Sequence, residues 1–197
     1  SKLPIVFGHK SGGLVPQENE ALKIMNGEIF LRTDDDADFD KDWLKEIYAT
    51  FGNLQKDGKK VAGVTGPTIV PQDRLENRDL FIFLKKMRAG NFFWKALGKV
   101  YFSYFMERKW SDPCTWFKCG AFSLGSNFKE YALAGETRES DFFQACNFAV
   151  PKILLEKIGG FEETQTGIGE YNEASVGFRL RKQGYKIYYN PKAIVYH

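Results

Sequence analysis

Apolar positions along this 197-residue chain change period several times, and each change marks an element. Between 41 and 56, Trp43, Leu44, Ile47, Phe51 and Leu54 recur at three and four, which predicts a helix with one apolar stripe. Asp40 is placed to cap it, and Asp42 favours its first turn. Before it, Ile29 and Leu31 alternate with Phe30 and Arg32, a short strand. Leu-Pro-Ile-Val-Phe over 3–7 predicts another strand, Gly8 to Gly13 a glycine-rich loop, and Pro16 to Asn26 a helix closed by Gly27. The run 60–65 is a buried strand stopped by Gly66-Pro67. Strands alternating with helices predict an α/β fold with a mostly parallel sheet flanked by helices.

The pattern changes in 80–110. Phe81, Phe83, Phe92, Phe93, Trp94, Tyr101, Phe102, Tyr104, Phe105 and Trp110 share this stretch with seven basic residues and the single acid Glu107. Aromatic and basic residues on amphipathic segments suit a membrane interface. They suit an aromatic lid or an oligomer contact as well. Residues 111–145 are irregular and of mixed polarity. Cys146 to Val150 returns to a strand. Pro151 at a helix start leads into 152–158, closed by Gly159-Gly160. Helix 172–183, with Val176, Phe178 and Leu180 packed, ends at Gly184. Strands over 185–189 and 193–196 bring the chain to His197.

The strand at 29–32 runs directly into acids. Asp34, Asp35, Asp36, Asp38, Asp40 and Asp42 fall within nine positions. Carboxylates at a strand end can hold a hard divalent cation against a phosphate, and open α/β sheets bind ligands at such ends. An EF-hand is excluded: counted from Asp34, the sixth position is Phe39 rather than Gly and the twelfth is Lys45 rather than Glu. A solvated acidic turn is the alternative.

Composition narrows the classes. An apolar fraction of 43% supports a real core, and a net charge of +3 gives no reason to expect nucleic-acid binding. Cys114, Cys119 and Cys146 form no disulfide framework and fit a reducing compartment, hence a cytoplasmic setting, peripheral at the membrane if 80–110 meets lipid. Cys114 and Cys119 lack the partners of a zinc motif. No apolar run reaches membrane-spanning length.

Three segments in order carry a resemblance. They are Ile29–Asp36 with Trp43-Leu44; Val150-Pro151 through Ile158-Gly159-Gly160-Phe161-Glu162-Glu163; and Gly177-Phe178-Arg179 through Gly184-Tyr185, then Pro191 to His197. Together they resemble the family 2 nucleotide-sugar glycosyltransferases of GT-A fold, with a DXD strand, a GGFDE-like element and an acceptor-side helix with a terminal His. Lys10 to Leu14 with Asn19 to Leu22 is similar to the family's approach to the DXD strand. Family members carry two or three further βα units before that strand, so the resemblance implies a shortened or reduced member.

The resemblance implies a sugar transferred from a nucleotide-diphosphate donor to an acceptor hydroxyl on a glycan, lipid or protein, with Mn²⁺ or Mg²⁺ as cofactor. Asp36 would bind the metal, Asp34 or Asp35 would contact donor ribose or a metal-bound water, and His197 would add a metal ligand. Counting back from Arg179 puts Asn172 and Glu173 where the family has Glu and Asp. That makes Glu173 the candidate base of an inverting reaction and Glu170 its alternate. Arg179 would meet phosphate or a carboxylate. The chain is expected to be one domain over 1–197: a donor half in 1–70, an insertion or acceptor lobe in 80–169 and an acceptor-side end in 170–197. A divalent-metal phosphohydrolase or nucleotidyltransferase, and a non-catalytic nucleotide-sugar-binding module, are the other readings.

Overall fold

The computed structural model describes residues 12–71, 79–123, 125–163 and 171–197. The expected strand at 3–7, most of the glycine-rich loop after it, and Glu170 lie outside the described residues.

Helix α1 (Leu14–Ile24) leads to strand β1 (Ile29–Arg32) and the short β2 (Asp38–Phe39). Helix α2 (Trp43–Lys56) follows, then β3 (Val61–Thr65) and β4 (Thr68–Ile69). A helical lobe holds α3 (Asp79–Ala89), α4 (Phe92–Val100) and a π turn at Tyr101–Phe105. Beyond α5 (Lys129–Ala132) come β5 (Arg138–Ser140), β6 (Phe148–Pro151), α6 (Lys152–Lys157), α7 (Asn172–Lys182), β7 (Lys186–Tyr189) and β8 (Val195–Tyr196).

Five strands form one sheet in the order β1-β6-β3-β7-β5, and β2-β8-β4 form a small second sheet. The main sheet is buried on both faces. Ala62, Phe148, Val150 and Ile187 pack with Val15 and Leu22 of α1, Leu154 and Leu155 of α6, and Val176 and Leu180 of α7. The alternate positions Val61, Val64, Ala149 and Tyr188 pack with Trp43, Ile47 and Phe51 of α2. That explains why every residue of β3 is buried. The α/β class with flanking helices is as expected.

Strand pairing corrects part of the expectation. β1, β3 and β7 point the same way, but β6 inserts antiparallel between β1 and β3, and β5 pairs antiparallel with β7. Within this sheet only β3–β7 is a parallel ladder among the described residues. A strand from residue 148 onward wedges between two early strands, and local periodicity carries no trace of that. Two side-chain expectations also change. Phe178 is 66% exposed because it lies two positions from both Val176 and Leu180, on the opposite side of the helix. Leu44, in the first turn of α2, is exposed as well, and Thr50 takes part in the buried stripe.

The helical lobe has its own small core, Leu84 and Met87 against Trp94, Tyr101, Phe102, Phe122 and Phe128. The α3–α4 hairpin closes tightly because Gly98 lets the Met87 carbonyl approach where a Cβ would stand. Phe92, Phe93, Val100 and Tyr104 remain exposed. Among the described residues, no helix is long and apolar enough to cross a membrane.

Candidate functional site

Two antiparallel registers assemble the acid cluster. β1 pairs Arg32 with Phe148, so continuing the register two residues sets Asp34 opposite Cys146. The Cys146 thiol donates to Asp34 Oδ2 at 2.8 Å. β2 pairs Asp38 with Tyr196, which brings His197 opposite Ala37 and beside Asp36. His197 Nε2 lies 3.1 Å from Asp36 Oδ1 and 3.5 Å from Asp34 Oδ2. A turn closed by Ala37 N–H on the Asp34 carbonyl, at 3.3 Å, carries Asp35 and Asp36. The His197 N–H donates to Ile69 O at 3.0 Å, so β8 is clamped between β2 and β4 to its last residue. Asp34, Cys146 and His197 each offer one ligand atom, all within 4.8 Å of one another.

Behind this cluster lies a buried polar ring. Arg32 points inward from the end of β1. Its Nε is 2.9 Å from Glu18 Oε1 in a charge contact, and its Nη1 donates to Asn172 Oδ1 at 3.1 Å and lies 3.6 Å from Glu173 Oε2. Asn172 closes the ring by donating to Glu18 Oε2. Burial is the main cause of the raised Glu18 pKa, about 7; the Arg32 charge opposes it, while Glu173 and Asp34 add to it. Burial also raises the Glu173 pKa, against its own backbone N–H and Arg32, with Asp34 adding to the rise. The ring thus feels the acid cluster electrostatically, and Arg32 is the cation between them.

Asn147 holds the two registers together. It is fully buried, accepts from Trp43 Nε1 at 2.9 Å, and donates to Pro67 O at 2.8 Å and Ala193 O at 2.7 Å. Its own carbonyl accepts from Thr65 Oγ1 at 2.7 Å. One amide therefore ties the turn bearing Cys146 to α2, to the β3–β4 link and to the loop that delivers His197.

The structure brings Asp34, Asp36, His197 and Glu173 into one region and leaves other candidates elsewhere. Asp35, Asp36 and Asp38 are all exposed, and of the three it is Asp36 that meets His197. Asp40 accepts from the Asp42 N–H at 3.0 Å, so it caps the turn leading into α2. Arg179 donates to Ile158 O at 3.0 Å and Gly160 O at 2.8 Å, holding the turn after α6, with Glu162 as its carboxylate neighbour. Sequence reasoning missed Glu18 and Arg32 and gave Cys146 no role at the site. Glu18 reads as an ordinary helix acid, and only the β1–β6 register discloses Cys146. An open cleft of about 730 Å³ lined by Glu139, Asp141, Phe178 and Arg181, among others, includes none of the acid-cluster residues. Two carboxylates and an imidazole suit Mn²⁺, and the carboxylates suit Mg²⁺. Cys146 adds a soft donor that neither ion requires.

No family model and no curated protein sequence matches the chain. Among solved structures, it is similar to the crystal structure of GalNAc-T7 with UDP, GalNAc and Mn²⁺. The TM-score is 0.58 at 14% identity, over 96% of this chain and 31% of that one. The fold, a five-stranded sheet flanked by helices, is similar to a GT-A glycosyltransferase fold. The chain spans under a third of that neighbour's length.

Proposed function

We propose that the protein is a metal-dependent glycosyltransferase that moves a sugar from a nucleotide-diphosphate donor to an acceptor hydroxyl on a glycan, lipid or protein. The observation that carries this is the convergence of Asp34, Asp36 and His197, with His197 Nε2 no more than 3.5 Å from either carboxylate. It supports the reading because it occurs at a strand end of a GT-A-type fold whose solved neighbour holds UDP, GalNAc and Mn²⁺. Asp34, Asp36 and His197 are assigned to hold Mn²⁺ or Mg²⁺. Bound there, the cation would neutralise charge developing on the nucleoside diphosphate as it leaves.

The chain's own residues divide the remaining work. Glu173 is assigned as the general base for the acceptor hydroxyl, with inversion at the sugar. Burial raises its pKa, which favours its taking a proton, while the Arg32 guanidinium 3.6 Å away opposes that rise and orients the carboxylate. Glu18 and Asn172 hold Arg32 in turn. The exposed face carrying Phe92, Phe93, Val100 and Tyr104 among basic residues is assigned to a peripheral membrane contact.

The test is calorimetric titration with UDP-, GDP- and dTDP-sugars, with and without Mn²⁺. Metal-dependent binding of one nucleotide is expected, and Asp36→Ala should abolish it. A folded protein that binds none of them, or an Asp36→Ala variant that binds normally, would overturn the reading.

A further inference from the structure

The geometry points to Cys146 as a further protein ligand beside Asp34 and His197, so that this same site also takes a borderline-soft divalent cation of the zinc class. The inference rests on the reading above and deepens it: it shares Asp34 and His197 with that reading and adds the Cys146 sulfur. The three donors come from three separate segments: the end of β1, the turn before β6 and the residue after β8. Nothing local brings them together, yet their ligand atoms all lie within 4.8 Å of one another.

Distances decide whether an ion fits. Zinc takes sulfur at about 2.3 Å and nitrogen or oxygen at about 2.0–2.2 Å, so tetrahedral ligand atoms sit about 3.3–3.6 Å apart. His197 Nε2 and Asp34 Oδ2 already stand 3.5 Å apart. Cys146 Sγ and Asp34 Oδ2 are 2.8 Å apart, held by the thiol proton that lies between them. When the sulfur–metal bond forms, that proton leaves to solvent, the hydrogen bond is lost, and the pair opens by less than about 1 Å to tetrahedral spacing. All three residues are partly buried, neither sealed nor fully solvated, so the site keeps an open side. Asp36 Oδ1, 3.1 Å from the same His197 nitrogen, is the next oxygen in reach. A Cys/His/carboxylate set with an open position suits zinc or cobalt, whereas Mg²⁺ gains nothing from a thiolate.

The test uses the whole chain, stripped of metal and titrated with Co²⁺ and then Zn²⁺, with no nucleotide present. Cobalt should bring up a sulfur-to-cobalt charge-transfer band in the near ultraviolet. Cys146→Ser should abolish the band and Cys119→Ser should leave it. Losing even an outer-shell partner costs about 10–100-fold in affinity. Zinc affinity in Cys146→Ser should therefore fall at least about tenfold, with Mg²⁺ affinity unchanged. X-ray absorption on the zinc-loaded wild type, which needs no variant to fold, should show one sulfur at about 2.3 Å. A shell of nitrogen and oxygen alone, or a cobalt band that survives in Cys146→Ser, would overturn the inference. Mn²⁺-dependent nucleotide binding without the cobalt band would sink this inference and leave the transferase reading standing. The band without any nucleotide binding would do the reverse.

Discussion

Replacing Asn147 with Ala tests whether one amide assembles the site. The side chain serves three groups, but they are not equally dependent on it. Pro67 O also accepts from Val195 N–H at 3.0 Å, so it keeps a partner. Trp43 Nε1–H and Ala193 O have none besides Asn147 among the described contacts. The substitution thus orphans one buried donor and one buried acceptor. Each costs about 1–3 kcal/mol, giving about 4 kcal/mol in all. Domain stabilities run about 5–15 kcal/mol, so the loss is large but survivable in a stable domain. Urea denaturation at neutral pH should show a lowered midpoint with an unchanged slope. Asn147→Asp should cost at least as much: it keeps an acceptor for Trp43 but turns a carboxylate onto the Pro67 and Ala193 carbonyls. In whichever variant stays folded, divalent-cation affinity should fall, since Ala193 leads into the strand that delivers His197. A stability loss below about 1 kcal/mol, or Asp tolerated better than Ala, would refute the accounting.

Three more outcomes are expected. Glu18 titrates near 7 in the folded chain against an ordinary 4.5, so the folded state binds the proton more tightly and stability falls as pH rises between those values, by about 3 kcal/mol; Glu18→Gln should remove that fall in denaturation curves at pH 5 and 8, and parallel wild-type and variant profiles would refute it. Glu173→Gln should leave donor affinity intact in calorimetry and lower sugar transfer by about 10²–10⁴, whereas unchanged transfer would remove it as base. Phe92 and Phe93, exposed at 89% and 69%, should make the chain co-sediment with anionic vesicles in a salt-sensitive way; doubling the change as Phe92→Ser with Phe93→Ser should abolish this, and no sedimentation of the wild type at low salt would count against the membrane contact.

The alternation of Ile29 and Leu31, the stripe along 43–54 and the buried run at 61–65 determined the α/β class, because burial imposes its period on nearby positions whatever the partner turns out to be. The acids after residue 32 were equally plain, since clustered carboxylates repel and persist only where something uses or solvates them. Pairing was different. That β6 lies antiparallel between β1 and β3 depends on contacts more than eighty residues apart, for which the sequence holds no local signal. The same pairing sets Asp34 against Cys146, and the β2–β8 pairing sets Asp36 beside His197. Arg179, which the resemblance set against phosphate or a carboxylate, donates to two backbone carbonyls and has Glu162 as its carboxylate neighbour. Composition and period determined which residues could do chemistry here. Register, fixed only when distant strands share one core, decided which of them meet.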